Sequence, residues 1–408
     1  MIPHSSVSNR LSRRGLLCLG AGLSLTLMGG AGAFADPAQA ERKLVVIVCR
    51  GAMDGISAAP PLGDPDYAAL RGPIAIPAED ALPLDGYFAL HPKLTGLHAL
   101  AQSGQARIAP AVAIPQRIRS HFEAQDLLET GGDRLHDATT GWLNRTLAAL
   151  GAAPGGRRAV TALSVGPQAP LILSGPVQAG SWSPGGQADG GTARIAAVLQ
   201  ELYSHDPQLA SALATGLATE AEADALAASL GGNKVAADAR GFAETTGKFL
   251  AAPDGFSIAV LSLTGFDTHA GQGASDGLLA NRLAVLDQTV AGLRSGLGEQ
   301  WGQAVVIAAT EFGRTAHVNG TGGTDHGTAS ALILAGGALK PGSLVGDWPT
   351  LAASKLFEGR DLAPTLDIRG VFKGVLADHL GVDRAALDGV IFPGSRDAAP
   401  VQDLVRLG

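Results

Sequence analysis

Short, almost uninterrupted apolar runs alternate along this chain with longer stretches of helical periodicity. Lys43–Arg50 (KLVVIVCR), Arg107–Ile114 (RIAPAVAI), Phe256–Leu263 (FSIAVLSL), Ala304–Ala309 (AVVIAA) and Ser330–Gly336 (SALILAG) are each the length of a strand. They show little of the in-out alternation of a half-exposed strand, so they read as parallel strands buried on both faces. Two further short strands fall within 159–174, around Pro167 and Pro170. Between the strands lie helix candidates at 90–104, from Ser120 to Gly131-Gly132, at 139–151 and at 238–252, and within 357–381 Asp361 with Pro364 reads as the capped start of a helix containing His379. Leu278–Leu297 carries Leu279, Leu283, Leu286, Val290, Leu293 and Leu297 at 4,3 spacing, which predicts one packed helix face. Residues 57–90 are rich in Pro and Gly and read as a surface excursion. Residues 192 to about 229, rich in Ala and Leu and broken at Pro207, read as a helical pair. The repeated strand–loop–helix order predicts an α/β fold: a mostly parallel central sheet flanked by helices, in one domain over 41–408 with a helical insertion at about 192–252.

Composition narrows the class. A hydrophobic fraction of 46% and a charged fraction of 16% over 408 residues suit one large core, and 4% aromatics with 56 glycines leave Ala, Val, Leu and Ile to fill it. The formal charge of −7, with no basic cluster beyond the N-terminus, gives nucleic-acid binding no electrostatic support. Residues 1–40 read as a targeting segment. Ser12, Arg13 and Arg14 precede an apolar stretch from Gly15 to Met28, and A-x-A sites follow at Ala35 and Ala40. Paired arginines before a Gly-rich, weakly hydrophobic core resemble a twin-arginine export signal, which places the protein in the periplasm or otherwise outside the inner membrane. An uncleaved anchor is the rival, although the stretch is short for a full span. Cleavage would leave Cys49 as the sole cysteine, so no internal disulfide is expected.

The chemistry gathers where strands end. Ala304–Ala309 runs into Thr310, Glu311, Phe312, Gly313 and Arg314, and a glycine-rich loop then delivers Asp325 and His326. Phe256–Leu263 ends in Asp267-Thr268-His269, two donors on one face of an extended segment. Asp54 follows the first strand and either binds a metal or caps a turn. In a parallel sheet all of these reach the carboxyl edge, where ligands bind. Ser120, with Glu123 three residues on, has the spacing of a capping box. At a helix start flanked by Arg117 and Arg119, it is equally placed as a nucleophile or anion ligand. His121 beside it is a proton donor or a packed histidine. Several carboxylates in one crevice call for a cation. Asp267, His269 and His326 are therefore expected to share one divalent ion, with Asp54, Glu311 and Asp325 around it. Carboxylate with imidazole suits Zn, Mn or Fe over Ca or Mg.

RGAMDG, RSHFEAQ, FDTHA, EFGRT and GGTDHG together resemble a bacterial exported family of unknown function grouped with the alkaline phosphatase and sulfatase superfamily, over about residues 43–395. The resemblance implies a metal site at the carboxyl edge. Asp54 would be a first-strand ligand, Ser120 would stand in the nucleophile's place, Asp267, His269 and His326 would form one half-site, and Glu311 would replace the usual aspartate. Phe312 stands where the superfamily has a histidine, which favours one strong metal site, or two weak ones, over the full pair. The implied function is metal-dependent hydrolysis of a small anionic phosphate or sulfate ester, with Ser120, His121 and Arg314 in the chemistry. The alternative is a catalytically degraded member that binds a metal or anion, or assembles with an exported partner protein. The membrane would enter only through the export signal.

Overall fold

The computed structural model describes residues 33–35, 41–151, 158–166, 169–183, 203, 238–253 and 255–406. Most of the predicted export signal and the helical pair expected at 192–229 lie outside them. Eight strands form the central sheet: β1 Lys43–Cys49, β2 Ala106–Ala113, β3 Ala162–Val165, β4 Gly180–Trp182, β5 Ile258–Leu263, β6 Ala304–Ala309, β7 Ser330–Ala335 and β8 Leu366–Asp367. Their order across the sheet is β8-β2-β7-β6-β1-β5-β3-β4. The helices that matter here are α1 Gly55–Ala58, α2 Tyr67–Arg71, α3 Thr95–Gln102, α4 His121–Thr130, α5 Trp142–Gly151, α6 Ala239–Ala251, α7 Leu278–Leu297 and α8 Ile368–Leu380.

The layers follow from β1. All seven of its residues are buried, and alternate side chains enter opposite cores. Leu44, Val46 and Val48 pack with Leu127 of α4, Leu143 of α5 and Phe372 of α8. Val45, Ile47 and Cys49 pack with Leu97 of α3, Phe249 of α6 and Leu286 of α7. The six positions predicted for the α7 face are all buried. Helices therefore cover both faces of the sheet, and only the edges of the strands remain for chemistry.

Seven strands run one way and β7 runs against them. β1 pairs in parallel with β5 and β6, whereas β7 is antiparallel to both β6 and β2. The link from β6 to β7 explains the reversal, because residues 310–329 form no crossover helix and stay at the carboxyl edge. β7 therefore starts at the edge where β1, β5 and β6 end. Loops from four adjacent strands meet there.

Two expectations are revised. The Pro- and Gly-rich stretch 57–90 is not a surface excursion: Tyr67, Ile74, Ile76 and Phe88 are buried, and α2 pins the segment to the rest of the molecule. Asp361 starts no helix. Its carboxylate takes Arg119 Nη2 at 2.7 Å and Thr328 Oγ1 at 2.8 Å, and α8 begins only at Ile368, capped by Asp367 onto the Arg369 amide at 2.9 Å.

Candidate metal centre

The loop after β5 carries Asp267 to the middle of the edge, and three histidines surround it. His269 Nε2 lies 3.1 Å from Asp267 Oδ1, His326 Nε2 lies 3.4 Å from the same oxygen, and His121 Nε2 lies 3.4 Å from Oδ2. The Nε2 atoms of His269 and His326 are 3.0 Å apart. One donor atom from each of His121, Asp267 and His326 falls within 4.8 Å of the other two. Donors about 2.0–2.1 Å from a shared tetrahedral ion stand about 3.3 Å from each other, and the pairs measured here straddle that spacing.

Each imidazole is turned by its other nitrogen. His121 Nδ1 donates to Glu311 Oε1 at 2.8 Å, His269 Nδ1 to Asp325 Oδ1 at 3.1 Å, and His326 Nδ1 to the Arg119 carbonyl at 2.8 Å. An acceptor at Nδ1 fixes the proton there and leaves Nε2 as a lone pair, as in metal-bound histidines with a carboxylate or carbonyl behind them. The Nε2 atoms of all three rings thus lie against the Asp267 carboxylate. Left without a cation or proton they repel, and His121 Nε2 is buried with no hydrogen-bond partner. The donor set could hold a metal ion.

The supports are built into the turns. Gly51 has φ +110°, and a Cβ there would come within 2.6 Å of the Asp267 amide nitrogen, so only glycine lets the β1 turn lie against that loop. Its amide donates to Glu311 Oε1 at 2.9 Å. Arg314 bridges backbone to backbone with His326, and its guanidinium is enclosed by protein. It donates to the carbonyls of Ala52 and Gly51 at 2.8 Å, Thr324 at 3.0 Å and Phe266 at 3.3 Å, and to the Asp267 carboxylate. Phe312 stacks on His121, ring centroids 5.0 Å apart, and also flanks His326. It forms a wall of the centre.

Electrostatics follows these contacts. The hydrogen bond to Glu311 raises the His121 pKa in spite of burial, whereas burial lowers that of His326. Burial pushes the carboxyls of Asp267 and Glu311 upward, but the Arg314 contact at Asp267 and the donors His121, Gln125 and Gly51 at Glu311 outweigh it and hold both below the ordinary range. Asp325 is likewise held low, because Asn319 and His269 outweigh its desolvation.

The sequence-predicted residues separate into three groups. Asp267, His269 and His326 come together, and His121, read from sequence as a proton donor, joins them through Nε2. Glu311 and Asp325, expected as ligands, stand one imidazole ring further out, behind His121 and His269. Asp54 is elsewhere: its buried carboxylate accepts from the Ile56 and Ser57 amides, Ser57 Oγ, Gln272 Nε2 at 2.7 Å and the Arg71 guanidinium, which leaves no face for an ion. Arg314 does not reach a substrate position, since its donors are engaged inside the protein. Ser120 is half-buried at the α4 N-terminus between Arg119 and His121, and its side chain makes no capping hydrogen bond. Gln125 closes the RSHFEAQ stretch but is assigned no role there, and Arg71 lies in no motif.

A family model described as protein of unknown function (DUF1501) matches residues 41–391. Among curated proteins there is no match. Among solved structures, the zinc complex of the C-terminal periplasmic domain of EptC from Escherichia coli is similar at 10% identity, over 76% of this chain and 77% of that one, with a TM-score of 0.37. The phosphonate monoester hydrolase of Agrobacterium radiobacter is similar at 12% identity over 84% and 74%, TM-score 0.36. The lipoteichoic acid synthase LtaP from Listeria monocytogenes is similar at 8% identity over 90% and 78%, TM-score 0.39. Likeness at this level says nothing of the chemistry at the site, which rests on its own atoms.

Proposed function

The chain belongs to the DUF1501 family of proteins of unknown function, and we propose that it is an exported, metal-dependent hydrolase of small anionic phosphate or sulfate esters. The observation that carries the reading is the convergence of three imidazole Nε2 atoms and the Asp267 carboxylate at the carboxyl edge of the sheet, with His269 and Asp267 each more than two-fifths exposed. A closed structural site would bury its ligands on all sides, whereas this one is open to an approaching group. When bound, a divalent ion supplies Lewis-acid polarisation of an ester oxygen. The chain supplies the rest. Glu311, Asp325 and the Arg119 carbonyl hold the ring protons on Nδ1, and Arg314 fixes the carboxylate of Asp267. Ser120 places a hydroxyl at the N-terminus of the ten-residue α4, where unpaired amides favour an anion. The attacking group is that hydroxyl or a water.

A second reading, metal binding without turnover, is favoured by two observations: Arg314 has its guanidinium committed to the protein, and Phe312 offers no ligand for a second ion. Elemental analysis with turnover assays on p-nitrophenyl phosphate, bis(p-nitrophenyl) phosphate and p-nitrophenyl sulfate separates the two. Hydrolysis that disappears together with the ion in His269→Ala and His326→Ala supports the enzyme. A bound ion without turnover supports the second reading, and a chain that takes up no Zn, Mn or Fe refutes both. Export is part of the proposal. No helix among the described residues is long and apolar enough to cross a membrane, and the paired Arg13 and Arg14 are the feature to test. Arg13→Lys with Arg14→Lys should retain the protein inside the cell, and equal export of both forms removes the twin-arginine route.

A further inference from the structure

Beside the centre, where α4 faces the ends of β3 and β5, a cleft of about 700 Å³ opens. That volume lies within the range of roughly 300–1,000 Å³ typical of small-molecule sites. The cleft begins one residue from a proposed ligand. Phe122, next to His121, stands at its mouth with 91% of its surface exposed, although most of the large apolar side chains are buried. Gln125, on the next turn of α4, lines the cleft and donates to Glu311 Oε1 at 3.1 Å, the same oxygen that holds His121.

Arg50 lies in the wall between the two. Its guanidinium donates to Gln125 Oε1 and Glu129 Oε1, each at 2.6 Å, and to Ser262 Oγ at 3.3 Å. These contacts engage three of the five N–H donors of an arginine, and two remain. Glu129 is itself committed, since its other oxygen accepts the Ile172 amide at 3.0 Å. An exposed aromatic face at the mouth and a partly exposed cation with spare donors deeper in are complementary to a ring that bears an acceptor.

We infer that this cleft binds the organic part of the ester, and that this part is a ring, aryl or sugar, carrying a carboxylate or hydroxyl acceptor. The ring lies against Phe122, the acceptor takes the free donors of Arg50, and the anionic ester group reaches the His121 side of the centre. The assignment of the ester group rests on the hydrolase reading above, whereas the ring site does not.

Titration calorimetry on the zinc-loaded protein with methyl phosphate, phenyl phosphate and 4-carboxyphenyl phosphate tests both parts. Phenyl phosphate is expected to bind more tightly than methyl phosphate. Phe122→Ala should reduce that ratio about 2- to 10-fold, the usual worth of one aromatic contact. The carboxylate should add a further gain that Arg50→Lys removes, with bound zinc measured in each variant. Three equal affinities, or a ratio indifferent to Phe122→Ala, overturn the inference while leaving the metal centre standing. A parallel titration of the metal-free protein with 4-hydroxybenzoate reads the cleft alone. Binding there that Phe122→Ala weakens, together with no binding of any phosphate, upholds the ring site and refutes the hydrolase reading instead.

Discussion

Asp54 and Asp267 each follow a buried parallel strand and reach the same edge of the sheet, yet their surroundings are opposite in kind. Asp54 is wholly enclosed and meets only donors: two backbone amides, the hydroxyl of Ser57, the amide of Gln272 and the guanidinium of Arg71. Asp267 is 43% exposed and meets one guanidinium together with three ring nitrogens that carry lone pairs. Donors satisfy a carboxylate and end its chemistry. Lone pairs around a carboxylate make an electron-rich pocket that a cation completes. Position after a strand brings an aspartate to the edge, and its neighbours decide whether it is a structural anchor or a ligand.

The sharpest way to break this contrast is to neutralise each aspartate in turn. Asp54→Ala leaves Arg71 buried without its counter-charge and should cost roughly 3–5 kcal/mol of stability, while the folded fraction keeps its full metal content. Asp267→Ala should do the reverse. It removes a ligand and most bound metal, yet changes the stability of the metal-free protein far less, because Arg314 keeps four backbone carbonyls. Urea denaturation of the metal-free proteins and elemental analysis of the purified ones give the two readouts. Loss of metal in a well-folded Asp54→Ala would erase the distinction.

His379 sharpens the comparison from the histidine side. It is buried in α8, far from the cluster in sequence, and its Nε2 donates to the Lys43 carbonyl at 3.0 Å. Burial pushes its pKa from 6.5 down to about 4. The folded value lies below the unfolded one, so the unfolded chain takes up the proton first as pH falls. Stability is therefore whole above pH 6.5 and drains away towards pH 4, by up to about 3 kcal/mol at about 1.4 kcal/mol per unit. His379→Gln should flatten that limb between pH 7 and 4 in urea titrations of the metal-free protein. An unchanged slope would mean that other groups govern the acid limb.

Glu311 tests whether the atoms behind the rings matter. Glu311→Gln keeps an acceptor for His121 but removes the charge, and the affinity for metal should fall about 10- to 100-fold by chelator competition. An unchanged affinity would reduce the Glu311 contact to simple packing.

These residues also show what was legible beforehand. The apolar runs named the strands because burial on both faces leaves a continuous hydrophobic signature, and the 4,3 spacing of α7 gave its face directly. Asp267, His269 and His326 were legible because strand ends converge in a parallel sheet. The role of His121 was not, since it depends on the start of a helix coming beside a strand end 190 residues away in sequence. Nor was the displacement of Glu311 and Asp325 to the outer position, because a carboxylate and the histidine it orients occupy one crevice and differ only in which atom faces inward. Arg314 looked catalytic for the same reason. An arginine at a strand end reads as an anion binder until the carbonyls that occupy it are seen.

Ser120 gives the smallest expected effect on stability and the most informative one on mechanism. The spacing to Glu123 predicts a capping box, whose loss costs about 0.5–2 kcal/mol. In the structure the backbone of Ser120 has the extended cap conformation and its carbonyl accepts the Ala124 amide at 2.9 Å, but its hydroxyl caps nothing. Ser120→Ala therefore removes one oxygen and no helical hydrogen bond, and stability should stay within about 0.5 kcal/mol. The neighbouring proposed ligand His121 takes its orientation from Glu311 and not from Ser120, so metal content should also hold. That leaves turnover as the one quantity free to change. If hydrolysis stops while fold and metal persist, the hydroxyl is the attacking group; if it continues, water attacks. A stability loss above 1 kcal/mol would show instead that the hydroxyl caps α4 in solution, and Ser120 would then belong with Asp54 among the anchors.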